Sequence, residues 1–536
     1  MTTRWTSTHR PTTDGSFASG WNDGYMVDTV YMPQMVSELS PTWLSMVSVL
    51  NGQPPLRRVP GRPLRWLDLG CGLGTSTAMV AAANDDVQVW GVDFNPAHID
   101  VARQFATNAG LDNCRFIEAS FADIASDTGL GPDEVDVVVV NGVYSWISAA
   151  NQRQIAEVIR QRLRPGGFAF VMYEVPLGWA SLSPVTEALR LHASTGRRRP
   201  EQAFAAAAEA LHDLAEKGAR YFPLPSSEAK RMESWAGADG FYAAHEYLGS
   251  NFGPLMFDEV AATLADARCS FVGTTPALGA FQFNWMPDEL REMFQGVDDV
   301  VLREMLHDVF GERALRSDLY RRGLVPVTGG EYAEWTGMLE IAGLGRELED
   351  KPIELLVGAV NLDPAYHQPL LDALAAGPLD VAAILEIHDD WTPRDAVIAM
   401  ALLVSGGYAA PSVRGEPSAE VRERCRRVNE VVFEEFGHGI GHSYVVAPKL
   451  GTSASLDSIE LRALAILRGH DAGAEPPEVD KVADQVLAEL AEIGHYVREE
   501  GKTVADLDEA RVIVAKRVER ALRLRATVLP SVGVNI

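Results

Sequence analysis

Seven consecutive residues, Asp68-Leu69-Gly70-Cys71-Gly72-Leu73-Gly74, carry the clearest chemical signal in this sequence. Glycines at alternate positions let a backbone turn tightly and approach a ligand to contact distance, which a Cβ would prevent. The apolar run Leu64-Arg65-Trp66-Leu67 enters the loop as a strand, and Thr75-Ser76-Thr77-Ala78-Met79-Val80 leaves it as a helix. Strand, glycine loop and helix in that order make a cradle for a nucleotide-containing cofactor. The dinucleotide fingerprint G-x-G-x-x-G would need glycine at position 75. Thr75 stands there instead, and Asp68 lies two residues ahead of the first glycine.

Other residues of fitting chemistry follow at strand ends. Asp93 comes about 25 residues after Asp68, where an acidic side chain can accept both hydroxyls of a ribose; its alternative is a cap on the helix opening at Asn95-Pro96. Phe94 can pack on an adenine. Glu118-Ala119-Ser120-Phe121 offers backbone and a small hydroxyl to an adenine edge, while Asp123 either joins them or caps the next helix. Asn141-Gly142-Val143-Tyr144-Ser145-Trp146 supplies a polar residue and then aromatics, whose faces suit a cationic group. Tyr144 and Trp146 could equally be core aromatics of the following helix.

Strand and helix alternate from about residue 64 to 173 to position these groups. The strand candidates are Arg65–Leu69, Val87–Val92, Cys114–Glu118, Asp136–Val140 and Phe168–Tyr173, with Pro96–Ala109 and Gln152–Leu163 as helices and Leu163–Gly167 as a turn. Continuous apolar runs such as Val137–Val140 predict a parallel sheet covered on both faces, an α/β doubly wound, Rossmann-like fold. Two more strands, Ser270–Gly273 and Leu319–Val325, complete seven, with a helical insertion between the fifth and sixth. The expected division is a flexible tail over 1–20, a core over 21–180, the helical insertion over 181–264 and the last strands over 265–335. A winged-helix-like domain over 336–450 and a helical region over 451–536 follow.

The D-x-G-x-G-x-G loop resembles the first motif of class I S-adenosylmethionine methyltransferases. Asn141–Trp146, Tyr173 with Gly178-Trp179, and the upstream Gly24–Tyr31 are similar to bacterial methyltransferases with a methyltransferase regulatory domain, some of which are protein lysine methyltransferases. His245–Leu248 and Tyr320–Leu324 echo the same family. The resemblance implies S-adenosylmethionine as cofactor, held by Tyr31, Asp68, Gly70, Cys71, Gly72, Gly74, Asp93, Phe94, Ser120, Phe121, Asn141 and Gly142. It also implies a homodimer. Methyl transfer is an in-line displacement that needs an acceptor lone pair, so a base beside the acceptor helps. Glu174 is the candidate base, its alternative being a salt-bridged carboxylate on the sheet rim. Tyr173 and Tyr144 are candidate catalytic partners, and Trp146, Trp179 and His245 candidate substrate contacts; His245 could instead be structural. The sequence departs from the family at Met172-Tyr173-Glu174, where Ser-Tyr-Asn is usual, at Leu177, where Pro is usual, and at Asn141, where His is usual. All three lie where the acceptor belongs.

Composition narrows the partners. Across 536 residues, a formal charge of −27 disfavours nucleic acid and anionic membrane, since phosphate binding needs a basic surface. Four scattered cysteines with no C-x-x-C pair fit a reducing cytoplasm. His438 and His442 sit four apart among three glycines that oppose a helix, so no metal site is expected. A protein lysine is the expected acceptor, with a glycan or secondary-metabolite small molecule as the alternative. A non-catalytic cofactor-binding scaffold and a nicotinamide oxidoreductase are the rival classes.

Overall fold

The computed structural model describes residues 33–534 apart from 128, 197, 222–234, 236–239, 250, 357, 438–441, 469–476, 493–496 and 500–501. The tail expected over 1–20, Gly24–Tyr31 and His438 lie outside the described residues.

A seven-stranded sheet forms the centre. Its strands are β1 (Leu64–Leu69), β2 (Val87–Asp93), β3 (Cys114–Glu118), β4 (Val135–Val140), β5 (Leu163–Glu174), β6 (Cys269–Thr274) and β7 (Leu315–Arg322). They are ordered β3-β2-β1-β4-β5-β7-β6. Pairings from β3 across to β5 are parallel, and β7 runs antiparallel to both β5 and β6. All six residues of β4 are buried, as a central strand covered on both faces requires. Two boundaries differ from expectation. Leu163–Gly167 belongs to β5 rather than to a turn, with a register shift opposite Val135–Val137. β7 starts four residues earlier than expected, at Leu315, and ends at Arg322.

Helices α1 (Pro41–Leu50), α2 (Thr75–Ala83), α3 (Pro96–Asn108), α4 (Phe121–Ser126) and α5 (Ala149–Arg162) accompany the sheet. α3 starts where Asn95 accepts from the Ala97 N–H and Pro96 needs no hydrogen-bond acceptor for itself. Between β5 and β6 the chain is helical, including Ser183–Ser194, Pro200–Glu216, Gly240–Leu248 and Phe257–Asp266. Beyond β7, helices Pro364–Ala376, Val381–Ile387 and Pro393–Ser405 accompany a three-stranded antiparallel sheet of Leu379–Asp380, Glu340–Gly343 and Ala409–Pro411. The helix Ala419–Gly437 returns to the main sheet and lies over α2 and α3: Arg424 donates to Asn84 O at 2.8 Å, and Arg427 to Ala109 O at 2.9 Å. One apolar cluster therefore joins β1 and β2 to Val428, Val446 and Leu464 of the C-terminal region. Among the described residues no helix is long and apolar enough to cross a membrane.

Candidate active site

A cavity of about 610 Å3 opens at the carboxyl ends of β1, β2 and β4. Ligands of open α/β sheets bind there, because the chain leaves neighbouring strands toward opposite faces. The glycine loop forms its floor. Gly70, Gly72 and Gly74 all have positive φ, at +82°, +54° and +73°. Gly70 faces the cavity. Gly74 does not: it is the residue ahead of α2, and a Cβ there would stand 2.5 Å from the Phe116 ring. Gly74 therefore serves the turn and its packing, a correction to its expected place at the cofactor.

Asp93 closes the loop onto β2. Its carboxylate accepts from Gly72 N–H at 3.0 Å and from Asn95 N–H at 2.9 Å, and it lines the cavity. Asp68 is buried beneath the loop and accepts from the Thr77 hydroxyl at 2.6 Å. Burial pushes its carboxyl up to about 6, with the Thr77 hydrogen bond opposing and the Asp93 charge reinforcing. The Cys71 thiol lines the same wall, and burial together with the charges of Asp93 and Asp68 raises it well above the ordinary thiol range. Phe94, Ser120, Phe121, Asn141 and Gly142 complete this end. Ser120 and Asp123 also cap α4 reciprocally, so the two readings of Asp123, cap and cavity wall, coexist.

Asn141 Oδ1 is buried in the cavity wall and finds no hydrogen-bond donor among the described residues. An orphaned acceptor lining the same cavity as Asp68 suits a cationic donor such as the ammonium of an amino acid. The residues present thus fit a nucleoside bearing an amino-acid tail.

The opposite end is assembled from distant segments. Glu174 and Met172 of β5, Trp146, Asn151, Leu315, and Tyr242, His245, Glu246 and Asn251 of the insertion line it. Glu174 is held on two sides: its N–H donates to Ser145 Oγ at 2.8 Å, and its Oε2 accepts from Trp179 Nε1 at 2.8 Å. Trp146 packs on Phe252 with ring centroids 4.4 Å apart, and Phe252 packs on Trp179 at 4.7 Å.

Three aromatic assignments need correction. Met172 and Glu174 face the cavity, so the two-residue strand period turns Tyr173 to the other face. There it is buried, donating to Asp318 Oδ2 at 2.8 Å within the Arg316, Glu304 and Asp308 ion-pair network. Tyr144 is likewise buried, bonded to Thr263, and burial pushes its hydroxyl up to about 12. Neither touches the cavity, so neither is a catalytic partner. Trp179 is buried behind Glu174, donates to that carboxylate and does not line the cavity.

One wall of the cavity has no counterpart among the sequence expectations. Gln34, Val36 and Leu39 line the cavity at its cofactor end. Thr75 Oγ1 donates to Gln34 O at 2.6 Å, and Ser76 Oγ accepts from Val36 N–H at 3.1 Å. The signal available was Thr75 itself, a hydroxyl at the position where a dinucleotide loop has glycine.

Comparison with known proteins bears on this geometry. Residues 67–169 match a methyltransferase domain, and residues 239–322 match a domain described as a predicted methyltransferase regulatory domain. The chain is a methyltransferase. Its cofactor is S-adenosylmethionine, whose activated methyl supplies the transferred group. The chain is 27% identical over 499 residues to the Synechocystis protein sll1526, covering 90% of this chain and 94% of that one. Trans-aconitate 2-methyltransferase of Methylobacterium radiotolerans is 31% identical over 182 residues, 34% of this chain and 63% of that enzyme. In fold the chain is similar to PKMT2 from Rickettsia typhi in complex with AdoHcy, with a TM-score of 0.64 at 18% identity, covering 93% of this chain and 99% of that one.

Proposed function

We propose that this methyltransferase methylates a basic nitrogen, the side-chain amine of a protein lysine, at the Glu174 end of the cavity. The observation that carries this reading is a pair of carboxylates, Glu174 and Glu246, lining that end beside the Trp146 ring. Carboxylates and an aromatic face attract an ammonium and repel an anion. Resemblance to bacterial lysine methyltransferases and the fold shared with PKMT2 support it. The match to trans-aconitate 2-methyltransferase favours a small-molecule acceptor as the second reading, but an anionic acceptor would face two carboxylates here.

On this reading Asp68 and Asn141 hold the cofactor's ammonium, Asp93 its ribose, and Phe94, Ser120 and Phe121 its base. The acceptor enters as an ammonium with a reference pKa of about 10.4, against about 4.3 for a free glutamic acid. Loss of hydration on binding disfavours the ammonium form of the acceptor amine. Glu174 then accepts the proton, and Trp179 N–H keeps the carboxylate aimed at the nitrogen. The division at 180, 264, 335 and 450 is proposed with it, the insertion supplying acceptor contacts.

An acceptor panel tests the reading, with AdoHcy release as the measure. A lysine-containing protein should turn over, the same protein acetylated on its lysines should not, and neither should trans-aconitate. Turnover of the acetylated protein or of trans-aconitate at the same rate would contradict it.

A further inference from the structure

We propose that a C-terminal hairpin acts as a clasp on the cofactor cavity, with Tyr444 and Thr452 as its positioning residues. The hairpin pairs Tyr444–Ala447 with Thr452–Ser455. It lies more than 350 residues along the chain from the glycine loop, yet it grips the wall formed by Gln34, Val36 and Leu39 at two separate points.

The first grip runs through Thr75. The Tyr444 hydroxyl is hydrogen-bonded to the Thr75 side chain. Thr75 in turn gives its one hydroxyl proton to Gln34 O at 2.6 Å. Tyr444 is braced in turn: its hydroxyl lies 2.7 Å from His442 Nδ1, and His442 Nε2 lies 2.8 Å from Glu435 Oε2. The second grip is direct, with Thr452 Oγ1 donating to Ser37 O at 2.9 Å. Tyr444, His442 and Thr452 are all buried, so each bond is shielded from competing water.

The hairpin is itself fixed to the far end of α2. Asn84 Nδ2 donates to Gly451 O at 2.9 Å, and Asn429 exchanges hydrogen bonds with Val446 at 2.9 and 2.6 Å. It therefore spans α2 from Asn84 to Thr75 and presses the 34–39 segment onto the loop. A wall held from outside sets the fraction of molecules competent to bind, and apparent affinity falls with that fraction.

The test uses the full chain with Tyr444→Phe and Thr452→Val, each removing one hydroxyl. Calorimetry with AdoHcy should show about fivefold weaker binding for each. Hydrogen exchange at the Val36 and Leu39 amides should quicken while β1 amides stay protected. In a Thr75→Val background, Tyr444→Phe should cost nothing further, whereas Thr452→Val should still weaken binding. Wild-type affinity and exchange in Tyr444→Phe would overturn the proposal. So would a lower melting temperature with unchanged affinity, or a full additional loss for Tyr444→Phe on top of Thr75→Val.

Discussion

At its cofactor end the cavity is lined by residues at the ends of β1, β2, β3 and β4, with Gln34, Val36 and Leu39 as one wall, whereas its acceptor end takes residues from β5, the start of β7 and the insertion helix Gly240–Leu248. The first end is fixed by backbone: Gly72 N–H and Asn95 N–H both donate to Asp93. The second is fixed by side chains stacked on one another, Trp146 on Phe252 on Trp179, with the Trp179 N–H on Glu174. Backbone geometry at strand ends is common to many sequences, so the cofactor end can stay constant. Packed side chains change with each substitution, so the acceptor end is where specificity can diverge.

That contrast can be broken by separating the two ends in one molecule. Glu174→Gln should lower kcat about 10²–10⁴-fold, the usual worth of a positioned base, while calorimetry with AdoHcy shows wild-type affinity. Asp93→Ala should do the reverse at the binding level, weakening AdoHcy about a hundredfold as it removes a charged acceptor from the loop. A variant that damaged both ends equally would remove the distinction.

A pH titration sharpens the cofactor end. Asp68, pushed up to about 6 by burial, is ionised above that pH and neutral below it. The cofactor's ammonium favours the carboxylate, so AdoHcy affinity should be level above pH 6 and fall as pH drops below it, by up to about tenfold per unit. Asp68→Asn should bind more weakly at pH 7.5 and lose this dependence. The smallest effect belongs to the acceptor end: Trp179→Phe keeps a ring against Phe252 but deletes the donor to Glu174. It should lower kcat about fivefold, with AdoHcy binding unchanged by calorimetry.

Legibility in the sequence follows the same division. The glycine loop, Asp93, Ser120 and Asn141 were readable because each is tied to the end of a strand whose apolar run is local and unambiguous. Residues at the acceptor end were half readable. Glu174 is legible from its place at the end of β5, but the aromatic character of Tyr173 and Tyr144 points to the cavity while the strand period and burial turn them into the core. Glu246, Tyr242 and Asn251 come from the insertion, where helical spacing tells nothing about which face meets the sheet. The Gln34–Leu39 wall and its tie to Tyr444 and Thr452 depend on contacts between opposite ends of the chain, which no local pattern encodes.

The most direct test of a lysine-directed methyltransferase is where the methyl lands. Isotope-labelled S-adenosylmethionine is incubated with the full chain and a lysine-rich protein mixture, and labelled peptides are mapped by mass spectrometry. The label should sit on lysine Nζ with the wild-type chain and be strongly reduced with Glu174→Gln. Label confined to hydroxyl, carboxylate or small-molecule acceptors, or undiminished in Glu174→Gln, would contradict the account.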